Sequence, residues 1–443
     1  MSRPFFGSDP REPRTETTGR YLVLLDQGEK QAGIAAVQRA TDTRIADAHD
    51  LPAGTSVPPS GADGLMFPEL GVAVVEVPPE GAAGLLAVAH ESSAVHVVEA
   101  ERVVYATTAA PSTESQFYLR GYRDAVNALV EGIVDGVTEK PNGRAEHGAP
   151  NGMGTRVWDE SQSTWGLQAT AVIDSIYSGR GVKVAVLDTG FDLKHPDFAD
   201  RRLVTQSFVP GQDVQDVVGH GTHCVGTACG PRQPGVAPRY GVAYNADIFV
   251  GKVLDNTGRG TDTQILAGIS WAVRNGCHIV SMSLGAPTVI GQSPSAVFEN
   301  AARRALDQGT LVIAAAGNES RRQDGSIQPV GHPANCPSIL AVAAVDENLD
   351  VALFSCGGVN PNGGEVNVAA PGVRVHSTWP MPSRYKAIMG TSMATPHVAG
   401  IAALLVEAKP GISATDLADL LATTAKRLPL PARDVGTGLV QAP

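Results

Sequence analysis

Short apolar runs alternate with segments of helical periodicity in the second half of the chain. The runs predict buried strands at residues 182–187, 248–253, 279–283, 311–315 and 339–343. The periodic segments predict helices at residues 263–275, 295–308, 395–408 and 414–425. This alternation is typical of an α/β fold in which a mostly parallel sheet is flanked by helices. In such sheets, functional residues lie just beyond the carboxyl ends of the strands.

A smaller pattern of strand, helix, strand, helix and strand precedes this part. Strands are predicted at residues 21–25, 72–77 and 95–105, and helices at residues 33–40 and 80–90. The segment up to residue 68 is weakly patterned and rich in turn residues. This order predicts a small α+β sandwich of the split-βαβ, ferredoxin-like kind over residues 21–106, after a polar, flexible tail at residues 1–20.

Residues 107–164 differ in composition from both flanking parts and are interpreted as a linker. An amphipathic helix is predicted there from apolar residues at helical spacing: Tyr118, Tyr122, Val126, Leu129 and Ile133. Turn residues follow over residues 139–152, which predicts an exposed joint that can be cut. The larger α/β domain then covers residues 165–443.

Composition and charge exclude two classes of partner. Hydrophobic residues make up 43% of the 443 residues and charged residues 18%, as in an ordinary folded protein. The formal net charge of -11 disfavours binding to a phosphate backbone or to an anionic membrane. Because no apolar run resembles a signal or membrane-spanning segment, we expect a cytoplasmic protein, with export by another route left open. We also expect a monomer.

The cysteines are five in number and lack the spacing of a metal site: Cys224, Cys229, Cys277, Cys336 and Cys356. We interpret them mainly as free, buried small residues. One bridge, such as Cys336 to Cys356, is the alternative.

Four polar side chains occupy strand ends or helix starts of the predicted sheet. Asp188 follows the first strand, Asn318 follows the fourth, and His220 and Ser392 open helices made of small residues. Each alone has an ordinary explanation as a turn or capping residue. Together they offer an acid, an amide donor, a base and a nucleophile at one edge of a sheet.

The segments that carry these residues resemble the signatures of the subtilisin-like serine peptidases, the subtilases. The matching segments are Asp-Thr-Gly at residues 188–190, His-Gly-Thr-His at 220–223 and Gly-Thr-Ser-Met-Ala at 390–394, in the family's order. The resemblance covers residues 165–438 and implies a serine endopeptidase that works through an acyl-enzyme.

The resemblance also assigns roles to single residues. It implies that Ser392 is the nucleophile, His220 the general base and then acid, Asp188 the residue that orients the imidazole, and Asn318 the oxyanion donor. His223 and His397 match structural positions. Two alternatives remain open: a catalytically silent peptide-binding module, and an esterase or peptide cyclase that uses the same acyl-enzyme.

Substrate binding is implied by two segments that resemble the family's edges for an extended peptide. The substrate-binding residues implied by the resemblance are Leu254, Gly258, Gly260, Asp262, Ser283, Leu284, Gly285, Ala315, Ala316, Gly317 and Gly331. Gly331 leaves room for a large apolar or aromatic side chain in the first pocket. Asp262 stands where many relatives carry an aromatic residue in the fourth pocket, which suggests a basic residue at P4, four positions before the cut bond.

Cofactors are not expected in catalysis, and structural calcium is doubtful. The loop at residues 229–240 replaces the family's asparagine-bearing calcium loop and offers few oxygen side chains. Asp197 matches a common calcium ligand without evident partners, and Asn367 stands where several relatives carry an aspartate. Separately, His220 and His223 are three residues apart and lack the HxxxH spacing of a metal site, so we predict no metal at the active site.

The amino-terminal sandwich resembles the inhibitory propeptide of subtilases. This resemblance implies a zymogen in which the sandwich covers the cleft as an intramolecular inhibitor until the chain is cut between Tyr105 and Trp165. A permanently attached structural domain is the alternative.

Overall fold

The amino-terminal part is an antiparallel sheet with two helices, in a computed structural model that describes residues 16–52, 55–78, 80–107 and 156–443. Its elements are β1 (Thr17–Leu25), α1 (Lys30–Thr41), β2 (Ile45–Asp47), β3 (Gly64–Phe67), β4 (Val72–Glu76), α2 (Ala82–Glu91) and β5 (Val95–Ala106). The strand order is β5-β1-β4-β3-β2, in which only β2 and β3 are parallel neighbours. Apart from the short β2, this is the ferredoxin-like arrangement.

Both faces of this small sheet are apolar, because every residue at the end of β1 is hydrophobic. Val23 and Leu25 face a core shared with α1 and α2. Leu22 and Leu24 point to the other face, since successive side chains of a strand alternate. That second face belongs to a core cluster shared with the larger part of the protein, and the two parts form one compact unit.

The larger part begins with a short helix and contains the parallel sheet. Its helices are α3 (Trp165–Ala169), α4 (His220–Cys229), α5 (Asp262–Arg274), α6 (Ala296–Asp307), α7 (Thr391–Ala408), α8 (Ala414–Thr423) and α9 (Ala432–Val435). Its strands are β6 (Lys183–Asp188), β7 (Leu203–Ser207), β8 (Asp247–Lys252), β9 (Arg259–Thr261), β10 (Ile279–Met282), β11 (Leu284–Gly285), β12 (Leu311–Ala315), β13 (Leu340–Val345), β14 (Val368–Pro371), β15 (Val375–Thr378) and β16 (Tyr385–Ile388).

Seven of these strands form the parallel sheet in the order β14-β13-β12-β10-β6-β8-β7. Alternate residues of β6 face opposite sides: Val184 and Val186 join a core with α4, α7 and α8, whereas Ala185 and Leu187 join a core with α5 and α6. A sheet covered on both faces explains why its central strands read as continuous apolar runs. The α/β prediction is confirmed.

Several local predictions differ from the structure. Helix α7 begins at Thr391 rather than at residue 395, so that Ser392 lies in its first turn. The sequence reading missed β2, β3, β7, β14 and the β15–β16 hairpin, which are short or lie at sheet edges. Strand β1 starts inside the predicted tail, at Thr17. The predicted helix from Tyr118 to Ile133 lies outside the described residues.

None of the helices in the described ranges is both long enough and apolar enough to cross a membrane.

Candidate active site

The carboxylate of Asp188 and the imidazole of His220 form a buried pair. Asp188 ends β6 and His220 begins α4, and Oδ1 of the first lies 2.7 Å from Nδ1 of the second. Burial alone lowers the pKa of His220, but the nearby Asp188 carboxylate outweighs this effect and holds the pKa well above its ordinary value. The other ring nitrogen, Nε2, is buried and has no hydrogen-bond partner among the described residues.

The start of α4 is fixed by a second buried carboxylate, Asp216. It accepts hydrogen bonds from the backbone N–H of Gly219 at 2.8 Å and of Thr222 at 2.9 Å, which are otherwise unpaired donors at a helix start. It also accepts from the hydroxyl of Thr189, at 3.0 Å. Asp216 therefore ties the helix that carries His220 to the loop that follows Asp188.

Ser392 is the second residue of α7, and its hydroxyl lies at the amino-terminal end of the helix. Pro396 lies inside this helix and has no N–H to donate to the carbonyl of Ser392, four residues earlier. The hydroxyl of Ser283 donates to that carbonyl instead, at 2.7 Å. This replacement satisfies the backbone of the turn that presents the serine.

The side-chain amide of Asn318 is oriented by Thr391. The backbone N–H and the hydroxyl of Thr391 both donate to Asn318 Oδ1, at 2.9 and 3.0 Å. The amide nitrogen must therefore point the other way, where it donates to the carbonyl oxygen of Thr107 at 2.5 Å.

Thr107 places a peptide carbonyl beside the hydroxyl of Ser392. Ser392 Oγ lies 2.5 Å from the carbonyl oxygen of Thr107 and 2.5 Å from its hydroxyl oxygen. The backbone N–H of Thr107 points to the carbonyl of Ser283, at 3.4 Å. The hydroxyl of Ser392 is fully buried under this contact.

The residues before Thr107 form the middle strand of a three-stranded antiparallel sheet. Strand β5 pairs with β9 on one side, where Val104 is opposite Gly260, and with β11 on the other, where Tyr105 is opposite Gly285. Ala106 also donates its N–H to the carbonyl of Gly258, at 2.9 Å. The chain's own segment thus occupies the two edges that the sequence assigned to an extended peptide.

The remaining implied substrate residues line these edges. Leu254 bridges to Gly260. Ala315 ends β12, and Ala316 accepts the N–H of Gly331 at 2.9 Å. A Cβ at Gly331 would lie 2.9 Å from the carbonyl oxygen of Ala286, so the close approach of two backbones there requires glycine. Ser283, Leu284 and Gly317 also belong to the set, with Gly317 donating its N–H to the Thr391 hydroxyl at 3.2 Å. The last member, Asp262, is the first residue of α5.

Comparison with known proteins identifies the family. A family profile for the subtilase family matches residues 179–438. The chain belongs to the subtilase family. Subtilisin DY of Bacillus licheniformis is 41% identical over 264 residues, which cover 59% of this chain and 90% of that protein. Subtilisin Savinase of Lederbergia lenta is 42% identical over 283 residues, covering 63% and 96%. Subtilisin E of Bacillus subtilis is 42% identical over 265 residues, covering 59% and 65%.

This subtilase is therefore a serine-type endopeptidase of the peptidase S8 family, and its substrates are polypeptides. Its family needs no cofactor for catalysis. The family profile leaves the amino-terminal sandwich outside the matched residues.

Two other histidines of the subtilase are structural. Burial lowers the pKa of His223 to about 3, and its Nε2 lies 2.9 Å from the carbonyl of Val375. Burial also lowers the pKa of His397 to about 4, and its Nδ1 lies 2.8 Å from the carbonyl of Met393. Both rings therefore stay neutral and donate to backbone carbonyls.

The five cysteines are all free and buried, as the main interpretation predicted, and the alternative bridge between Cys336 and Cys356 is absent. Cys224 lies one turn after His220 in α4, with its sulfur 4.0 Å from His220 Nδ1. Burial raises the pKa of the Cys224 thiol. It is the third member of the one group of possible metal ligands found in the described ranges, with Asp188 and His220.

The position of the family's calcium ligand is filled by protein donors in this subtilase. The carboxylate of Asp197 accepts hydrogen bonds from the hydroxyl of Tyr240 at 2.5 Å, from that of Tyr385 at 3.0 Å and from the N–H of Gly235 at 3.0 Å. Calcium requires several free oxygen ligands. The residues around Asp197 therefore do not fit the ion.

Asn367 stands where several relatives carry an aspartate. Its Oδ1 accepts the N–H of Ala341 at 2.7 Å, so this side-chain oxygen is used within the protein.

The amino-terminal sandwich contributes two carboxylates to helix starts of the larger part. Glu99 accepts the N–H of Ala296 at the start of α6, at 2.7 Å. Glu101, which is fully buried, accepts the N–H of Thr263 at the start of α5, at 2.9 Å, and pairs with Arg20 at 2.6 Å. Negative charge is favourable at a helix amino terminus, so both contacts hold the sandwich over the cleft.

Sequence reasoning missed several residues that the structure brings to the site. Thr391 could have been found, because it directly precedes Ser392 in the signature segment. Asp216, four residues before His220, had a weaker signal as a capping residue. Thr107 had none, because its place in the cleft depends on how the sandwich docks.

Proposed function

We propose that this chain is a self-inhibited zymogen that cuts its own peptide bond between Thr107 and Thr108. One observation carries the proposal: the carbonyl of Thr107 contacts both the Asn318 amide and the Ser392 hydroxyl. Strand pairing on both sides of β5 holds that carbonyl in place. The cut bond lies within the predicted region between Tyr105 and Trp165.

The proposed chemistry takes the roles of the four residues from the resemblance to the family, and the contacts of Asp188, Asn318 and Ser392 support it. The hydroxyl oxygen of Ser392 attacks the carbonyl carbon of Thr107 while His220 Nε2 takes the hydroxyl proton. Asn318 Nδ2 donates to the oxygen as it becomes negative. The protonated His220 then gives its proton to the departing amide nitrogen of Thr108, which leaves an ester between Thr107 and Ser392.

Water completes the reaction. His220 takes a proton from the water molecule that attacks the ester, and the Ser392 oxygen leaves with the proton that His220 returns. Asp188 keeps the imidazole oriented and stabilises its charged form throughout. The products are a carboxylate at Thr107 and an amino group at Thr108.

Inhibition outlasts the cut, because the contacts that hold the sandwich do not involve the broken bond. Strand β5 still pairs with β9 and β11, and Glu99 and Glu101 still bind the starts of α6 and α5. The sandwich therefore blocks extended polypeptides until it leaves. Polypeptide substrates then pair with the same two edges.

Calcium does not occupy the Asp197 position in this proposal, since two tyrosine hydroxyls and a backbone N–H already satisfy that carboxylate.

The decisive experiment compares the native chain with the Ser392→Ala variant. Intact mass and amino-terminal sequencing of the native chain should show a new terminus at Thr108, while Ser392→Ala stays full length. Ser281→Ala is the matched control, because Ser281 is an equally buried serine on β10 and should leave processing unchanged. Identical masses for the native and Ser392→Ala chains would refute self-processing.

Two further readouts test the alternatives. A fluorophosphonate should label Ser392 after the sandwich leaves, and failure to label would favour a silent peptide-binding module. Product masses of a digested polypeptide should show addition of water at each cut. Ring closure without added water would instead indicate a peptide cyclase.

A further inference from the structure

Asp262 and His332 form a second buried acid–histidine pair, separate from Asp188 and His220. Asp262 Oδ1 lies 2.9 Å from His332 Nε2, and both side chains are almost fully buried. Asp262 begins α5 directly after β9, the first edge of the cleft. His332 follows Gly331 and pairs with Ala286, next to the second edge. The pair therefore joins the two walls that hold an extended strand.

The second oxygen of Asp262 faces that strand. Asp262 Oδ2 accepts the backbone N–H of Arg102 at 2.9 Å, and the Arg102 guanidinium lies 3.8 Å from it. With Thr107 before the cut bond, Arg102 is the sixth residue before that bond, the P6 position. The carboxylate therefore contacts both the backbone and the basic side chain of one substrate position.

The fourth position is different. Val104 is the P4 residue, and its apolar side chain is fully buried in the large core cluster. The basic residue near Asp262 is thus two positions further from the cut bond than the sequence suggested. A buried carboxylate is costly unless it is paired, and Asp262 has His332 as a permanent partner after the sandwich leaves.

We propose that Asp262 forms the S6 subsite, which binds the backbone N–H and a basic side chain of the P6 residue of polypeptide substrates. The proposal rests on the proposed function, since P6 is counted from the Thr107–Thr108 bond. Glu99 also contacts Arg102, at 3.5 Å, but it belongs to the sandwich and leaves with it. Asp262 belongs to the larger part and remains after the sandwich has left, so its carboxylate can bind the P6 residue of other substrates.

The test uses self-processed enzyme from which the cut sandwich has been removed by gel filtration, and acetylated peptides that carry residues 102–111 of this chain. The peptides differ only at the position of Arg102, which is kept or changed to Lys, Gln, Glu or Pro. We expect kcat/KM to be about fivefold higher with Arg than with Gln, which is the size of a partly buried ion pair. The Glu peptide should be slower than Gln through like-charge repulsion. The Pro peptide should also be slower, because proline has no N–H to donate.

The same series is then measured with Asp262→Asn enzyme, in which the ratio of Arg to Gln should fall to about one. Asp247→Asn is the matched control: Asp247 is exposed at the amino end of β8, away from the carboxyl ends of the sheet, and this variant should keep the native ratio. If Asp262→Asn does not fold, Asp262→Ser replaces it, because serine also removes the charge and is well tolerated at a helix start.

Each outcome separates this proposal from the proposed function. Equal cleavage of all five peptides by native enzyme would overturn the S6 subsite but would not contradict the endopeptidase activity. A preference for Arg that survives in Asp262→Asn would also overturn it, because another group would then carry the preference. A failure to cleave any peptide would overturn both, since the subsite has no meaning without the cut.

Discussion

Thr391 donates two hydrogen bonds to Asn318 Oδ1, and this arrangement turns the amide nitrogen of Asn318 toward the Thr107 carbonyl. We expect Asn318→Leu to slow self-processing by about 10²–10³, the loss established for the oxyanion asparagine of subtilisin. The measurement is the rate at which full-length chain disappears. A rate within about threefold of native would show that Asn318 is not the main oxyanion donor.

Removal of the Thr391 hydroxyl should have a smaller effect. Thr391→Val keeps the backbone N–H that orients Asn318 but loses the hydroxyl's hydrogen bond to Asn318 and its hydrogen bond from the Gly317 N–H. Each is worth about 1 kcal/mol, so we expect processing to slow by at least about fivefold. Thr395→Val is the matched control, because its hydroxyl donates to the Thr391 carbonyl at 2.9 Å and not to the amide. Equal slowing in both variants would mean that the effect comes from the helix rather than from Asn318.

The Asp188–His220 pair should make the proposed self-processing depend on pH. The Asp188 carboxylate holds the pKa of His220 well above its ordinary value of 6.5, which extends the protonated form of the ring to higher pH than in a free histidine. The protonated ring cannot accept the Ser392 proton. The processing rate should therefore rise with pH, with a midpoint above 6.5. His223 does not contribute, since its pKa of about 3 keeps it neutral over this range.

Processing rates of the native chain between about pH 5 and pH 10 test this, together with NMR titration of His220 in full-length Ser392→Ala. Both should give the same midpoint, because both report the zymogen. A midpoint below the ordinary histidine value by either method would contradict the expected direction.

Glu101 should stabilise the contact between the sandwich and the larger part. Glu101→Gln removes the charge at the start of α5 and leaves the guanidinium of Arg20 without its anion. In the full-length Ser392→Ala chain, we expect the free energy of unfolding to fall by about 1–2 kcal/mol, as measured by urea denaturation. Glu76→Gln, at an exposed position on β4, should change it by less than about 0.5 kcal/mol. A similar loss in both variants would assign no special role to Glu101.

Calcium should not act through Asp197. Thermal unfolding of full-length Ser392→Ala and of the same chain with Asp197→Asn should respond equally to added calcium or to a chelator. A calcium site at 100 times its dissociation constant would add about 2.7 kcal/mol, an effect that is easily seen. A calcium-dependent rise in the midpoint temperature of unfolding that is lost with Asp197→Asn would contradict this prediction. It would show that calcium displaces the tyrosine hydroxyls from the Asp197 carboxylate.

The central strands were predictable because burial on both faces leaves an unbroken apolar run, as in β6 and β12. Strand β7 was missed because it is a half-buried edge strand with polar residues, and β3 because four residues are too few to show a period. Helix α7 starts four residues before the predicted position and contains Pro396, a residue that normally interrupts a helix interior. Ser283 removes that constraint by binding the freed carbonyl.

The site was predictable only where its residues lie in contiguous signature segments. The pairing of Asp262 with His332 joins residues 70 positions apart, and the contact of Thr107 with Ser392 joins residues 285 apart. The first contact lies within the larger part, where the start of α5 approaches the residue that pairs with Ala286. The second depends on how the sandwich packs against the larger part. A single sequence carries no periodic signal for that kind of contact.

The two apolar faces of the sandwich sheet affect what happens to the piece that the proposed cut would release. Leu22 and Leu24 are covered only as long as the sandwich lies against the larger part. Once it separates, that face meets water and the piece loses part of the burial that kept it folded. We expect such a piece to unfold and to be digested by the enzyme it had blocked. Activation would then be irreversible. Its rate would be limited by the first dissociation of a sandwich from a cleaved molecule, because the freed enzyme would digest the others as they dissociate.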